Sequence, residues 1–583
     1  MIEIDKKWLL SLCNVGDVLC GWTERKATVW VMYLLTVTLL VFLQFSYDWT
    51  GSLVEYVKMN LLPIAIAILS VEPMLMISIM CFVHYPGKLN AVRDSQPSPQ
   101  QIEYHRRVAI VIPCHKSEDV VKATVTACLK HVGPEQIFIV DNATAASPLD
   151  NTKGVLDEEC PRGINYLWNP YGNKTCAQYA GVVAAEGYDY ILIIDDDVIL
   201  PENMQFNLDQ MSNRVKALCY PIRAKHPEEN QTSLFIEWQS LEYKMSDFAK
   251  LLQSKWSTVL FPHGAASLWE RNMLLEILRW HDTVFYADDV KMGIYLQNHR
   301  YQMKLDTNVL LDTLAPASFG GPAPNLYCQR VRSWDMAEHV YFSQFAMSLF
   351  TTQFDTIVGT IVMKCFQLYS LYSIISDWIR IPTLVIALCF SSVQLATIMG
   401  GVLTGNTVLL LFWNLVGYRQ RPSMRSSWFV VLTFQWYRVL MAVTRFLGFL
   451  RALTIYVPNF GRKPTIPQLE KRTFDLFKAT TSSPPVAVTK GKRLRRKSSL
   501  VAPIMVAVTP ERIPVWLSDD ERFAKYKQSI AKEFIFDNKR YTLGPRSNTQ
   551  LHLSPEPSVP RSPKRASVSV MQSTGFSITP GVH

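Results

Sequence analysis

Three consecutive aspartates follow an apolar stretch in Ile193–Val198 and give this sequence its clearest candidate for a reactive site. In an extended strand, alternate residues point to the same side, so the carboxylates of Asp195 and Asp197 converge and that of Asp196 points away. Two converging carboxylates, completed by the phosphates of a substrate, are typical ligands of Mg²⁺ or Mn²⁺. Taken alone, the triplet fits an acidic loop after a buried strand better than a metal site, because acidic triplets are common.

Two other acidic positions and one mixed motif accompany the triplet. Asp141 follows an earlier apolar run, and Ala287–Val290 contains an adjacent pair of aspartates, of which Asp289 is the second. A carboxylate within hydrogen-bond reach of a hydroxyl group can accept its proton as a general base. The segment Gln329–Trp334 adds amide, guanidinium and indole groups that can orient a polar acceptor. Together these residues predict transfer chemistry at a cation-assisted site.

Short apolar runs separated by helix-length segments fill the region from residue 107 to residue 333. This alternation predicts an α/β domain with a mostly parallel sheet. Ligands of such sheets bind at the carboxyl ends of the strands, which is where the acidic residues fall. The predicted elements are strands at Val108–Pro113, Ile137–Val140, Ile164–Trp168 and Tyr190–Asp195, and a helix around Lys174–Glu186.

A membrane hairpin is predicted at residues 27–83, after a cytosolic N-terminal segment at residues 1–26. Its two spans, Ala27–Phe45 and Leu61–Val83, are apolar and long enough to cross a hydrocarbon layer of about 30 Å. Basic residues precede the first span and follow the second, so the positive-inside bias predicts that both flanks are cytosolic. The alternative for the first run is a cleaved signal peptide, against which its late start argues.

Interface and transmembrane helices are predicted for residues 334–457. Within this segment, Arg438 and Arg445 are seven residues apart and therefore share one helical face. Their helix fits an amphipathic helix lying on the membrane and, equally, a span whose arginine face meets a polar channel. The clearest predicted spans are Ile381–Gly400 and Val402–Tyr418.

The basic character of the chain belongs to its last segment, residues 461–583. That segment has 22 Lys and Arg against 9 Asp and Glu, whereas the whole chain has a formal net charge of +10. The body is therefore slightly acidic, and no nucleic-acid partner is predicted. The Pro-, Ser- and Lys-rich composition predicts a mostly disordered cytosolic tail that contacts anionic membrane lipid. The 11 cysteines are scattered singly, as in reduced cytosolic proteins.

The ordered set of acidic motifs followed by Q-R-V-R-S-W, flanked by predicted membrane helices, resembles the processive family 2 glycosyltransferases. These are the hyaluronan, chitin and cellulose synthases, whose pattern is an Asp after an early strand, D-x-D, an [ED]-D pair and Q-x-x-R-W. The resemblance covers roughly Ala27–Arg451 and is closest to the smaller fungal-type members, whose products belong to the cell wall. It implies a GT-A-type domain at residues 107–333. It also implies inverting transfer from a UDP-sugar to a growing polysaccharide, coupled to export, in a multi-pass protein of the plasma membrane.

The resemblance also implies roles for individual residues, carried over by position. The metal, Mg²⁺ or Mn²⁺, is expected at Asp195 and Asp197, and Asp289 is expected to be the general base, with Asp288 structural. The expected nucleotide contacts are Pro113, Asp141, Lys174 and Asp195. The expected contacts to the acceptor sugar and the leaving diphosphate are Gln329, Arg332, Trp334, His263 and Gly264.

Two positions depart from the family pattern. Ser333 separates Arg332 from Trp334, which shifts the stacking aromatic by one residue. The first-strand loop reads P-C-H-K at Pro113–Lys116 where the family has P-x-[YR]-N-E. An interfacial anchor is the alternative role for Trp334. Two other functions stay open for the whole chain: a non-processive transferase that glycosylates a lipid phosphate, and a catalytically inactive membrane scaffold. The sequence does not select the sugar.

Overall fold

A computed structural model describes twelve stretches of the chain. The predicted N-terminal segment and the first predicted span lie outside them, as does the tail beyond residue 456 apart from two short strands. The described residues are 53–86, 99–143, 145, 148–169, 172–228, 231–281, 288–321, 325–352, 354, 356–456, 535–536 and 539–540.

A seven-stranded sheet forms the centre of the α/β region, in the order β3-β2-β1-β4-β8-β6-β9. The first four strands in this order are parallel, as the sequence predicts, but β8 runs antiparallel to both of its neighbours. The sheet is therefore mixed. Its strands are β1 (Val108–Cys114), β2 (Ile137–Asn142), β3 (Asn165–Asn169), β4 (Tyr190–Ile194), β6 (Val215–Cys219), β8 (Ala266–Glu270) and β9 (Gln302–Leu305).

A second, three-stranded sheet lies beside the end of β4, in the order β5-β10-β7. Its strands are β5 (Val198–Ile199), β7 (Ile222–Lys225) and β10 (Leu311–Leu314). Val198 pairs with Thr313 across the antiparallel β5–β10 ladder, and β5 begins directly after the aspartate triplet. This ladder therefore holds the triplet against β10.

Helices pack on both faces of the large sheet, as apolar strands buried on both sides require. The close packing of α7 on the sheet requires glycine at position 181, because a Cβ at Gly181 would overlap the side chain of Val111 in β1. The helices of this region are α4 (Pro99–Arg106), α5 (Val121–Leu129), α6 (Thr152–Glu159), α7 (Lys174–Ala184), α8 (Leu234–Trp256), α9 (Arg271–Trp280) and α10 (Asp288–Asn298).

The remaining helices make an apolar layer against α8. One face of α8, including Met245 and Phe248, packs with Met76, Trp413 and Phe434 from three of these helices. The helix α8 is thus shared by the α/β region and the apolar layer. The helices of the layer are α1 (Leu53–Met59), α2 (Leu61–Leu69), α3 (Val71–Met80), α11 (Leu326–Gln329), α12 (Asp335–Val340), α13 (Phe342–Thr351), α14 (Ile357–Cys389), α15 (Ser391–Gly417) and α16 (Trp428–Arg451).

Two helices in the described part of the chain, α14 and α15, are long and apolar enough to cross a membrane. The run divides at Ser391, whose φ of −151° and ψ of 42° are not helical. The sequence predicted the division near Gly400, but Gly400 and Gly401 lie inside α15. A glycine pair is permissive, but it does not break a helix whose hydrogen bonds remain intact.

The second predicted span is a pair of helices, α2 and α3, which are bent by 53° at their junction. If the two helices together form one span, they are a third candidate for crossing the membrane among the described residues. The cause of the bend is Pro73, which has no N–H to donate to the carbonyl oxygen of Leu69 four residues earlier. The side chains of Asn406 and Arg438 donate to that oxygen instead, at 3.1 and 3.0 Å. The bend is therefore fixed by donors from α15 and α16.

Residues 519–583 form a separate unit. Its described part is one antiparallel pair, β11 (Ile535–Phe536) and β12 (Lys539–Arg540).

Candidate active site

A cavity of about 380 Å³ lies beyond the carboxyl end of β4, between the α/β region and the apolar layer. Most of the residues that the sequence singles out contribute to its wall, although they come from distant parts of the chain. Eight of the predicted site residues line it: Lys174, Asp195, Asp197, His263, Gly264, Asp289, Gln329 and Trp334.

The aspartate triplet is divided as strand alternation predicts. Asp195 and Asp197 line the cavity, whereas the Asp196 carboxylate accepts a hydrogen bond from the hydroxyl of Ser117 on the other side. Lys174 Nζ, at the start of α7, lies 2.6 Å from Asp195 Oδ1. The Thr313 hydroxyl of β10 donates to Asp197 Oδ1 at 3.3 Å. The neighbouring strand and helix therefore hold both carboxylates at the cavity wall.

The charge at this wall is unbalanced. Burial raises the pKa of Asp197 well above its usual range, and the negative charges of Asp195 and Asp196 raise it further. The ammonium group of Lys174 acts in the opposite direction and does not compensate fully. A divalent cation would remove this repulsion.

The donor set fits a magnesium or manganese ion only if the substrate supplies ligands. No group of three or more His, Cys, Asp and Glu side chains arranged for a metal occurs among the described residues. Mg²⁺ commonly takes one or two carboxylates together with substrate phosphates, so Asp195 and Asp197 suffice for that kind of site.

Asp289, the second residue of α10, lies on the same cavity as the triplet. Its Oδ1 accepts a hydrogen bond from the N–H of Val290 at 2.9 Å. A Cβ built at Gly264 would lie 3.5 Å from Asp289 Oδ2, so this loop runs directly beside the carboxylate. Asp197 and Asp289 thus line one cavity. A metal at Asp197 and a general base at Asp289 would need this arrangement to act on the same bound substrate.

The wall beneath Asp289 contains a chain of buried polar groups. His263 Nε2 lies 2.5 Å from Asp247 Oδ1 and 3.0 Å from Lys250 Nζ. Burial lowers the pKa of His263, an effect that the charge of Lys250 reinforces and that of Asp247 opposes. Burial likewise lowers the pKa of Lys250. These contacts hold His263 in place.

Pro113 and Asp141 lie at the carboxyl ends of β1 and β2, on the same sheet edge as the triplet but outside the wall of the cavity. The hydroxyl of Tyr166 donates to Asp141 Oδ2 at 2.8 Å. Burial raises the pKa of Asp141, and this hydrogen bond partly counters the effect. A ligand extending from the cavity along the sheet edge would reach both residues.

The segment Arg330–Trp334 is a single turn of π-helix between α11 and α12. The N–H of Asp335 donates to the carbonyl oxygen of Arg330, five residues earlier. In this turn, the side chain of Arg332 is exposed and lies outside the wall of the cavity, contrary to the expectation from the sequence. Arg330 is buried and lines it instead. Ser333, the residue that departs from the family pattern, lies within this π-turn.

The comparisons with known proteins bear on the α/β region. Residues 105–334 match the family described as "Glycosyltransferase like family 2". The α/β region is therefore similar to the family 2 glycosyltransferases. No curated protein sequence matches the chain significantly.

Solved structures resemble the chain loosely. A mannosyltransferase from Pyrobaculum calidifontis, in complex with GDP-Man and Mn²⁺, is 13% identical, with a TM-score of 0.42 over 68% of this chain and 98% of that chain. TarS 1–349 from S. aureus is 8% identical, with a TM-score of 0.26 over 57% of this chain and 92% of that chain. TarS 1–349 in complex with UDP-GlcNAc is 10% identical, with a TM-score of 0.28 over 57% and 92% of the respective chains. Likenesses this loose carry no argument about the donor.

The sequence did not predict the contribution of α8 to the cavity wall. Glu242, Tyr243 and Lys250 from this helix all line the wall. These residues lie in the middle of a helix and not after a strand, and they form no recognisable motif. The sequence of such a helix shows only the periodicity of its apolar residues. Their position at the end of the sheet could be found only from the tertiary fold.

The cavity also reaches between helices of the apolar layer. Glu72 of α3, Tyr369 and Ser373 of α14 and Arg445 of α16 contribute to its far wall. Ion pairs bind this end together, since Arg438 lies 2.9 Å from Glu72 and Arg445 lies 3.2 Å from Asp377. The arginines predicted to share one face of α16 therefore face polar partners inside the protein.

Proposed function

We propose that this chain is a membrane-embedded, metal-dependent glycosyltransferase that transfers a sugar from a UDP-sugar to the end of a growing polysaccharide, with inversion. The observation that carries the proposal is the convergence of Asp195, Asp197 and Asp289 on one cavity in a family 2-like domain. Transfer from a nucleoside diphosphate requires an anion-neutralising site and a base beside a common space. These three carboxylates supply both.

On the donor side, Asp195 and Asp197 would hold Mg²⁺ or Mn²⁺, which neutralises the departing diphosphate when bound. Lys174 lies beside Asp195 and adds a positive charge near the same phosphates. Pro113 and Asp141, at the neighbouring strand ends, are assigned to the uridine. The nucleotide would thus lie along the sheet edge, with its diphosphate towards the cavity.

On the acceptor side, Asp289 takes the proton of the attacking hydroxyl group. Trp334 provides an aromatic face for the acceptor sugar, and Gln329 Oε1 is a buried acceptor without a hydrogen-bond partner in the described part of the chain. His263 and Gly264 form the loop beside the base. A single base acting on one face, without a covalent sugar intermediate, gives inversion at the anomeric carbon.

The apolar layer supports membrane embedding and export. Two helices are apolar enough to span a membrane, and residues of α3, α14 and α16 share the cavity with the carboxylates. A product formed at Asp289 would therefore meet these helices next. We place the protein in the plasma membrane as a multi-pass protein surrounded by lipid, with the transferase domain and the basic tail in the cytosol.

The test uses the full chain purified in detergent with Mn²⁺ or Mg²⁺. UDP release is measured against UDP-glucose, UDP-N-acetylglucosamine and UDP-glucuronate, and the product is sized. A long water-soluble product made from one donor supports the proposal. A product that extracts into organic solvent identifies the lipid-phosphate transferase instead. UDP release from none of the donors favours the catalytically inactive scaffold, whereas release that is unchanged in Asp289→Asn excludes Asp289 as the general base.

A further inference from the structure

We propose that Arg330 is the positioning residue for the acceptor platform Trp334, and that Arg332 has no part in the site. The inference rests on the proposed function, because it concerns the residue that holds the acceptor sugar. It reverses the expectation from the sequence, in which Arg332 was the arginine of the site.

The geometry of the π-turn accounts for this exchange of arginines. In an α-helix of 3.6 residues per turn, a residue five positions on is displaced by about 140° around the axis. Trp334 is five positions after Gln329, so an α-helix would turn the two side chains apart. The i→i+5 hydrogen bonding of a π-turn stacks such residues instead. Gln329 and Trp334 both line the cavity as a result.

The same widened turn exposes the residue between them. Arg332 points away from the cavity, whereas Arg330 lies four positions before Trp334 and on its side of the turn. The guanidinium carbon of Arg330 is 4.6 Å from the centre of the Trp334 ring. A cation over the face of an indole is an attractive and orienting contact. Arg330 therefore restrains the ring that faces the acceptor.

Arg330 is itself held from several sides. Its Nη1 donates to Glu242 Oε1 at 3.1 Å, and its Nη2 donates to Glu242 Oε2 and to the hydroxyl of Tyr437, the latter at 3.1 Å. The Tyr437 hydroxyl donates to Glu242 Oε2 at 2.7 Å, and Asp335 Oδ1 lies 3.9 Å from Arg330 Nη1. A planar guanidinium fixed in this way by α8, α12 and α16 transmits their positions to Trp334.

The experiment compares Arg330→Gln and Arg330→Lys with Arg332→Gln, and uses Arg214→Gln, at an exposed arginine in another part of the domain, as the matched control. Four quantities are measured with the donor found above: KM for the donor, total UDP release, the share of sugar released as free monosaccharide, and product length. The first two report the donor site. The last two report how well the acceptor is held.

We expect Arg330→Gln to shorten the product and raise the free-sugar share about tenfold while the donor KM stays within about twofold of wild type. Arg330→Lys should fall between, because an ammonium group keeps the charge but loses the paired, planar contacts. Arg332→Gln should behave like the control. A merely structural role for Arg330 would lower total UDP release without changing the division between polymer and free sugar.

A lone buried charge at Glu242 could prevent the Arg330→Gln protein from folding. The double variant Arg330→Gln/Glu242→Gln removes both charges, and we expect it to show the same short product. A shortened product from Arg332→Gln with normal product from the Arg330 variants would overturn the inference while leaving the proposed function intact. Absence of UDP release from the wild-type protein would overturn both.

Discussion

Asp197 is one of three aspartates at the carboxyl end of one strand. The protonation state of its carboxyl group bears directly on what this site can bind. Burial and the charges of Asp195 and Asp196 raise its pKa, so it keeps its proton to a higher pH than an ordinary aspartate. A divalent cation binds the carboxylate and not the acid, and must displace that proton. Under the proposed function, the metal and the proton would therefore compete for this carboxylate.

The affinity for Mn²⁺ should accordingly increase as the pH rises through the raised pKa of Asp197. We expect titration calorimetry at a series of pH values to show this increase together with proton release into the buffer. Asp197→Asn should weaken binding and remove the pH dependence. Asp209→Asn, at another aspartate of the domain, serves as the control. Mn²⁺ affinity that is equal at all these pH values would contradict the assignment.

The proposed role of Asp289 as the general base is also tested by a single substitution. Asp289→Asn keeps the side-chain volume but cannot accept a proton, so the rate of sugar transfer should fall by about 10²–10⁴-fold. Donor binding should persist, because the nucleotide is assigned to other residues. UDP release and nucleotide-sugar affinity measured on the same preparation separate the two effects, with the exposed Glu186→Gln as the matched control. Loss of affinity with an unchanged rate would assign Asp289 to the donor.

At the scale of elements, the sequence predicted those strands whose apolar residues are uninterrupted. The four strands predicted by apolar runs match β1 to β4 to within one or two residues, and the helix around Lys174 matches α7. The antiparallel β8 and the short strands β5, β7 and β10 carry no comparable run, and their pairing depends on residues far away in the sequence. The π-turn could not be predicted either, since the five residues Arg330–Trp334 fit an α-helix equally well.

One glycine controls the distance between two of these elements. A Cβ at Gly293 in α10 would overlap the carbonyl oxygen of Leu260 and lie 3.0 Å from Phe261, just before the His263–Gly264 loop. Gly293→Ala should therefore push α10, which begins next to Asp289, away from this loop. We expect a lower unfolding temperature in detergent and reduced UDP release.

Gly400→Ala is the matched control for this prediction. Gly400 also lies within a helix, but a Cβ there meets nothing within 4 Å. Alanine is favoured over glycine in a helix interior by about 1 kcal/mol, so this variant should be as stable as the wild type or more so. Equal unfolding temperatures for both variants would show that the close approach of α10 to Leu260 does not matter.

For the whole molecule, the sequence predicted an α/β region and its apolar flanks but not how they share one cavity. The motifs identified the residues on the sheet edge because strand ends are local features. The contributions of Glu72, Glu242 and Arg445 depend on packing between helices more than 150 residues apart in the chain. No local pattern specifies such a contact.

The separate unit at residues 519–583 can be removed to test whether it contributes to activity. A chain ending at Ser518 should keep wild-type UDP release per molecule and remain in the membrane fraction, because the cavity and the apolar helices belong to the other unit. Activity of solubilised membranes and sedimentation measure the two properties. A chain ending before α16 is the control: it keeps α14 and α15 and should stay in the membrane fraction, but it should lose UDP release because Arg445 no longer contributes to the cavity wall. A tenfold loss of activity on removal of residues 519–583 would assign that unit a role in catalysis.

The bend between α2 and α3 has a consequence for the order of events during biosynthesis. Pro73 leaves the carbonyl oxygen of Leu69 without its helical donor, and the replacement donors are 337 and 369 residues further along the chain. The ribosome therefore delivers this segment long before Asn406 and Arg438 exist to complete it. Until then, the carbonyl oxygen of Leu69 lacks both of the side-chain donors that it has in the folded protein. Among the described helices, α15 and the late-translated α16 thus fix the bend between α2 and α3, which are translated much earlier.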